Sequence, residues 1–285
     1  MKKKIKQLLT TIFWNINPKL CFALKYVRHR KRLPNFKKPK DLSEIVMSRC
    51  LSGEIEKIAP YVDKIKMRLF VEEWGLGEYL PKLYGVWNSA EEIDFDSLPQ
   101  SFALKTNHGC GLHYICPNKK ELNAQQAKSI IRQALNTQFG TIEKQYGCIT
   151  PQCFAEEYIS DGDGNGDLPL DYKFHCCNGE IRGILVCADR SSGVRLATYD
   201  LDWNRVEWIK DFERYSGEIP CPCNFEKMKE IATLIAKKFD VVRVDLYSLK
   251  DGRIFIGELT FTPEGGVMGY FTNEAVDSLG FKNPQ

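Results

Sequence analysis

Apolar positions along the chain repeat with two different periods, and the switch between them predicts where helices give way to strands. Ile5, Leu8, Leu9, Ile12, Phe13 and Ile16 recur at helical spacing. So do the apolar residues of 42–51 and of 62–74, where Ile65, Leu69 and Phe70 are spaced like one buried face. Asn123 stands where it can cap a further helix, with Ala127, Ile130, Ile131, Ala134 and Leu135 as its stripe. A second strong helix is expected over 225–239, with Met228, Ile231, Ala232 and Ile235 on one side. Short apolar or alternating runs predict strands at 80–86, 101–107, 112–116, 152–159, 171–177, 181–188, 194–199, 241–247 and 253–260. Helices mingle with hairpins without regular alternation and without an internal repeat, so the expected class is α+β rather than a parallel-sheet fold. The polar run 160–167, with three glycines and three aspartates, is the expected hinge.

Composition narrows this picture only slightly. With 285 residues, 43% apolar and 27% charged, the chain is ordinary for a globular protein of one large domain or two closely packed lobes. No apolar run approaches the roughly 18 residues of a membrane-spanning helix. Charge is more telling. Residues 1–40 hold 13 Lys and Arg and no acid, so the remainder carries 27 basic against 37 acidic residues. Such an acidic body argues against a general nucleic-acid binder. Eleven cysteines, an odd number in a long chain, suit a reducing compartment, with buried or idle thiols rather than a metal–thiolate site. The expected location is therefore the cytoplasm.

The first 16 residues imitate a secretory signal, but Thr10, Thr11 and Asn15 interrupt the apolar stretch and no small-residue cleavage site follows. They read instead as a basic amphipathic helix. Either its stripe packs on the body, the favoured expectation, or it lies in an anionic membrane surface with Phe13 and Trp14 inserted. Residues 25–40 add positive charge that is either a solvated face or an attraction to membrane or an anionic polymer.

Chemistry concentrates in residues 243–266, RVDLYSLKDGRIFIGELTFTPEGG. Asp251-Gly252 predicts a two-residue hairpin turn with both residues at positive φ, pairing Lys250 with Arg253. Counting outward from that pair places Asp245 opposite Glu258 and Arg243 opposite Thr260, on one face. Like charges opposed at about 5 Å are destabilising, so a cation is expected between them. Hard oxygen ligands in this arrangement suit Mg²⁺, which takes one or two carboxylates and leaves room for nucleotide phosphates. The guanidinium of Arg243 could then neutralise an oxyanion or a transferred phosphoryl group. The plainer alternative is an Arg243–Asp245 surface salt bridge with Glu258 solvated.

Three weaker signals accompany the hairpin. In SFALKTNHGCG, Lys105 ends a strand before a turn with Gly109 and Gly111, whose backbone N–H groups could cradle phosphate. Asn178-Gly179 closes a hairpin expected to put Lys173 beside Ile184 on a mostly buried sheet, where a lysine wants an anion. In FAEEYI, Glu156 or Glu157 could reach the amino or ribose groups of a nucleotide whose adenine meets the strand.

Taken in order, these pieces resemble the ATP-grasp family, and within it the TupA-like ATP-grasp proteins of bacterial surface-polysaccharide loci. The resemblance runs from about Lys40 to Phe271 through YVDKIKMR, LYGVWNSAEEIDFDSLPQSFALKTNHGCG, AEEYI, DYKFHCCNG, YDLDWN, VRVDLY and GELTFTPEGG. The triplet Arg243, Asp245, Glu258 is similar to that of D-alanine:D-alanine ligases, with Thr260 where those have Asn. It implies two α+β lobes closing on ATP behind a basic segment 1–40. The nucleotide-loop lobe would be about 100–155 and the metal-binding lobe about 160–285. Adenine would meet Glu156, Glu157, Tyr158 and Ile159. Phosphates would lie among Lys105, the loop of Asn107, His108, Gly109 and Gly111, Lys173 and Mg²⁺, with Asp245, Glu258 and Thr260 as metal ligands and Arg243 and Lys173 catalytic. The activity implied is ATP- and Mg²⁺-dependent ligation of a carboxylate, on a sugar or peptide-like substrate, to an amine or thiol through an acyl phosphate. A glycosyltransferase-like enzyme and a non-catalytic nucleotide-binding scaffold are the alternatives. No Ser-His-Asp or Cys-His arrangement is evident, and His108 and His175 are the remaining acid–base candidates.

Overall fold

The computed structural model describes residues 14–109, 111–137, 139, 142–161, 168–188 and 193–281. Most of the 5–16 stripe and the 162–167 part of the hinge lie outside them. Two antiparallel sheets organise the chain. The smaller has the order β1-β4-β2-β3, from β1 (Leu83–Trp87), β2 (Phe102–Thr106), β3 (Tyr114–Cys116) and β4 (Cys153–Glu156). The larger has the order β10-β9-β5-β6-β7-β8, from β5 (Asp171–Cys177), β6 (Glu180–Ala188), β7 (Arg195–Tyr199), β8 (Arg205–Val206), β9 (Val241–Ser248) and β10 (Ile254–Thr260). With helices packed around both sheets, this is the α+β class that the hydrophobic pattern predicts.

Helix starts follow local chemistry. Pro18 opens α1 (Pro18–Arg30) behind Asn17, whose side chain accepts from Leu20 N. Asp41 caps α2 (Leu42–Ser52) through Glu44 N. Short α3 (Ala59–Val62) precedes α4 (Lys66–Glu73), and the predicted single helix over 62–74 breaks at Asp63, whose carboxylate accepts from Ile65 N and Lys66 N. The buried face of α4 is also not the predicted one. Met67, Arg68 and Val71 are buried, while Leu69 is 65% exposed. Burying Arg68 lets it reach Pro81 O and Glu156, a long-range demand that outranks the apolar spacing. Asn123 caps α5 (Ala124–Leu135) as expected, and Ala127, Ile131 and Ala134 are buried, the first two in the core beneath the small sheet. Helix α6 (Phe225–Ala236) buries Met228, Ile231, Ala232 and Ile235, and α7 (Asn273–Ser278) closes the described chain.

Alternation along the large sheet divides two cores. Val242, Val244, Leu246, Ile184 and Val186 face α6, whereas Val241, Leu185, Cys187 and Leu196 join Trp14, Phe22, Tyr26 and Met47 on the other face. Residues 14–30 thus cover one side of the sheet. Trp14 is 3% exposed and meets Phe22 edge-on at 4.7 Å, so the membrane-inserted position considered for Trp14 is corrected to a core position, although Ile16 is exposed. Arg30 is buried beneath the 267–272 segment, donating to Val267 O, Met268 O, Phe271 O and Thr272 O at 3.2–3.3 Å. Among the described residues no helix is long and apolar enough to cross a membrane.

Two hairpin registers differ from expectation. The Asn178-Gly179 turn has both residues at positive φ, but the register shifts between His175 and Cys176, so Lys173 pairs with Leu185 rather than Ile184. In the carboxylate hairpin only Gly252 takes positive φ, the loop is longer than two residues, and Ser248 pairs with Ile254. A second shift at Gly257 then restores Asp245 opposite Glu258 and Arg243 opposite Thr260. A Cβ on Gly257 would lie 2.8 Å from the Tyr247 ring, so the irregular position requires glycine.

Candidate functional site

The uncovered part of the large sheet faces the small sheet across a cleft of about 240 Å³. From the small sheet, β2 brings Lys105 to its wall, and Gly109 and Gly111 follow at φ of 72° and 86°. A Cβ on Gly109 would run into the Phe139 ring, so both the backbone angle and the space demand glycine there. From the large sheet come Lys173 on β5, Asp245 on β9 and Glu258 on β10, brought together because β9 lies between β5 and β10. Glu157, Tyr158 and Ile159, just past β4, line the far end.

The charged groups facing the cleft are matched in pairs. Lys173 Nζ lies 2.6 Å from Asp245 and 2.7 Å from Asp171. The Arg243 guanidinium grips Asp245 with two bonds of 2.7 Å and donates to Thr260 Oγ1 at 3.0 Å. Burial works against the charge of Asp245, but Arg243 and Lys173 outweigh it and hold the carboxyl below its usual range. Glu258 is likewise depressed against its burial, chiefly by Lys64. Lys105 meets Glu156 at 2.6 Å, and although burial opposes its charge, Glu156 raises its pKa above the lysine range.

The predicted residues therefore separate into those that line the cleft and those that support it. Lys105, Gly109, Gly111, Glu157, Tyr158, Ile159, Lys173, Asp245 and Glu258 line it. Five others lie outside this lining, among them Arg243, which is buried against Asp245 and Thr260. Asn107 is fully buried, its amide donating to Thr150 O and accepting from Gln152 N, so it braces the turn. His108 is buried with its ring edge-on to Phe139. The Glu156 carboxylate is bound to Lys105 and Arg68, and of the two acids named for the nucleotide it is Glu157 that lines the cleft. Thr260 Oγ1 accepts from Arg243 and lies 3.4 Å from Glu258, outside the lining. Lys64 is a cleft residue that the motifs alone do not single out. Its only trace in the sequence is its place within YVDKIKMR.

His175 is buried beside Phe271, and burial together with Arg243 and Lys173 pushes its pKa well below the usual value. Unfolded chain protonates this imidazole near pH 6.5 and folded chain does not, so acidification favours unfolding. Stability is thus expected to fall as pH drops below about 6.5, and His175→Phe to flatten that dependence in urea titrations between about pH 7 and 5. An unchanged slope would remove His175 as the source.

Comparison with known proteins gives these features a family. The model of the TupA-like ATP-grasp proteins matches residues 43–281. The chain belongs to the TupA-like ATP-grasp family. Solved structures similar to this ATP-grasp chain include the ligase PsnB complexed with a minimal precursor, Mg and ADP, at 14% identity and a TM-score of 0.38. That match covers 77% of this chain and 58% of PsnB. D-alanine–D-alanine ligase from Bacillus anthracis, complexed with ATP, matches at 15% identity over 76% of this chain and 55% of its own, with a TM-score of 0.40. N5-carboxyaminoimidazole synthetase from Staphylococcus aureus matches at 13% identity over 70% and 44%, with a TM-score of 0.42. This chain therefore spans only about half of each relative's length. No curated protein matches it.

Proposed function

We propose that this ATP-grasp chain is an ATP- and Mg²⁺-dependent ligase that joins a carboxylate to an amine or thiol. The observation that carries the reading is one cleft in which Lys105 and the glycine turn, from the side of the small sheet, face Lys173 and the opposed Asp245 and Glu258 of the large sheet. The donor set suits Mg²⁺: two hard carboxylates lie on adjacent strands, and this ion needs no more than one or two from the protein. Asp245 and Glu258 would hold it, and its charge would offset that of the phosphates. Thr260 supports the pair by fixing Arg243 beside Glu258.

The chain's own groups then divide the work. Glu157, Tyr158 and Ile159 take the adenine end, and the N–H groups of the 107–111 turn with Lys105 take phosphate oxygens. Lys173 and Arg243 neutralise charge on the phosphoryl group in transit. The substrate carboxylate attacks the terminal phosphorus, ADP leaves, and the nucleophile displaces phosphate from the acyl phosphate. A carboxylate-bearing sugar or peptide-like substrate in capsule or surface-polysaccharide assembly is the setting that the family resemblance supports. The test is incubation with ATP, Mg²⁺, candidate acids and amines. ADP release that depends on both an acid and an amine supports ligation, whereas UDP release from a sugar nucleotide would replace it with glycosyl transfer.

Lys105→Ala is expected to weaken Mg-ATP binding by on the order of 10- to 100-fold, because a charged donor is lost from the cleft wall and buried Glu156 loses its closer cationic partner. Isothermal titration against wild type checks this, and equal affinities would remove Lys105 from the phosphate site.

A further inference from the structure

Helix α1 is buried along one side and bare along the other. Its inner side seats Phe22, Tyr26 and Arg30 at helical spacing against the large sheet and the 267–272 segment. On the outer side, Leu20 and Leu24 are 45% and 55% exposed, and at about 100° per residue they share one stripe with Ala23 and Val27. Exposed Lys19 and Arg28 border that stripe on its two sides, and exposed Lys31 follows at the helix end. Ile16 just before the helix and Leu33 just after it are exposed as well. Four of the eleven large apolar side chains exposed among the described residues thus fall between positions 16 and 33. Scattered singly, such side chains need no explanation, but gathered beside cations they mark a contact surface. Among the described residues none of Lys19, Arg28 and Lys31 enters an ion pair, whereas neighbouring Arg32 is held by Asp41, Glu44 and Asp277.

We propose that the outer face of α1 docks on an anionic lipid surface, lying in its headgroup layer with Leu20 and Leu24 inserted while Trp14, Phe22 and Tyr26 stay in the protein core. Charge selects this occupant. Residues 1–40 hold 13 Lys and Arg and no acid, whereas the remainder carries 27 basic against 37 acidic residues. A negative surface therefore attracts this end of the chain and repels the rest, which fixes the side that faces the lipid. A headgroup layer also accommodates apolar side chains bordered by cations: the leucines reach the acyl boundary, and the long Lys and Arg stems keep their charges at the lipid phosphates. The contact is peripheral, since no described helix is long and apolar enough to cross a membrane.

The test is co-sedimentation of the full chain with vesicles of phosphatidylcholine alone and with vesicles in which phosphatidylglycerol replaces part of it. Wild type is compared with Leu20→Ser/Leu24→Ser, with Lys19→Glu/Arg28→Glu and with Leu234→Ser, which changes an exposed leucine on α6. All the replaced side chains are exposed, so each variant is expected to unfold at the wild-type temperature. Wild type is expected to sediment with the anionic vesicles and not with the neutral ones, both paired variants to lose on the order of 10-fold in partitioning, and Leu234→Ser to match wild type. Added salt should release the protein, because exposed charges are screened beyond about 10 Å at 0.1 M. Wild type that ignores anionic vesicles, or that binds neutral ones equally well, overturns the proposal. So does undiminished binding by the leucine pair, which would reduce the contact to a diffuse attraction of charge. A dimer in gel filtration that the leucine pair dissolves, in place of vesicle binding, overturns it by making the occupant a second copy of this chain.

Discussion

Glu258→Gln is expected to abolish Mg-ATP turnover, by at least about 100-fold, in a protein that still folds. Gln keeps the shape of the side chain and removes the charge on which the metal position depends. The Glu258 side chain is 33% exposed, and its contacts with Lys64 and Arg243 are long, at 3.5 and 3.6 Å. Losing such contacts costs no more than about 1 kcal/mol. Asp245→Asn should be equally inactive but for a mixed reason. Its carboxylate is 2% exposed and holds both Arg243 and Lys173, and removing one member of a buried charge network costs about 3–5 kcal/mol. ADP release and thermal unfolding on both variants separate the effects: Glu258→Gln should unfold near the wild-type temperature and Asp245→Asn well below it. Wild-type turnover in Glu258→Gln would sink the metal assignment.

Deleting residues 1–32 is expected to unfold the protein rather than release a soluble enzyme from a surface. The deletion removes Trp14, Phe22 and Tyr26 from the core on one face of the large sheet, along with the Tyr26–Asp41 hydrogen bond. It also removes Arg30, whose guanidinium serves four backbone carbonyls of the 267–272 segment and would leave them without these donors. Phe22→Ala alone should cost about 3–5 kcal/mol, the usual range for a large side chain lost from a packed core. Urea or thermal unfolding of the deletion and of Phe22→Ala checks this. A deletion variant as stable as the full chain would restore the view of the segment as a detachable basic arm.

Much of the site is legible in the amino-acid sequence because its chemistry sits on short-range signals. Gly109, Gly111 and the Asn178-Gly179 turn announce backbone angles that side chains avoid, and the alternation of 241–247 announces which residues share a face. The pairing of Asp245 with Glu258 is legible for a different reason than the one that holds. The expected tight turn would set the register at once, whereas the real loop shifts it by one residue and the irregularity at Gly257 shifts it back. Sequence alternation records the final pairing because both strands have to bury their apolar face, whatever lies between them.

What the amino-acid sequence determined by itself is therefore local: the α+β class, most element positions, the Asn123 cap, and the shared face of Arg243, Asp245 and Glu258. Only the tertiary structure decided which of these charges meet. It gave Glu156 to Lys105 and Arg68, buried Arg68 where an apolar stripe predicted Leu69, brought Lys64 into the cleft and laid residues 14–30 on the large sheet. The physical reason is range. Periodicity reports what a helix or strand must do with its own faces, over a few residues. The partner of a charge is chosen across distant segments by whichever arrangement leaves no buried charge unpaired.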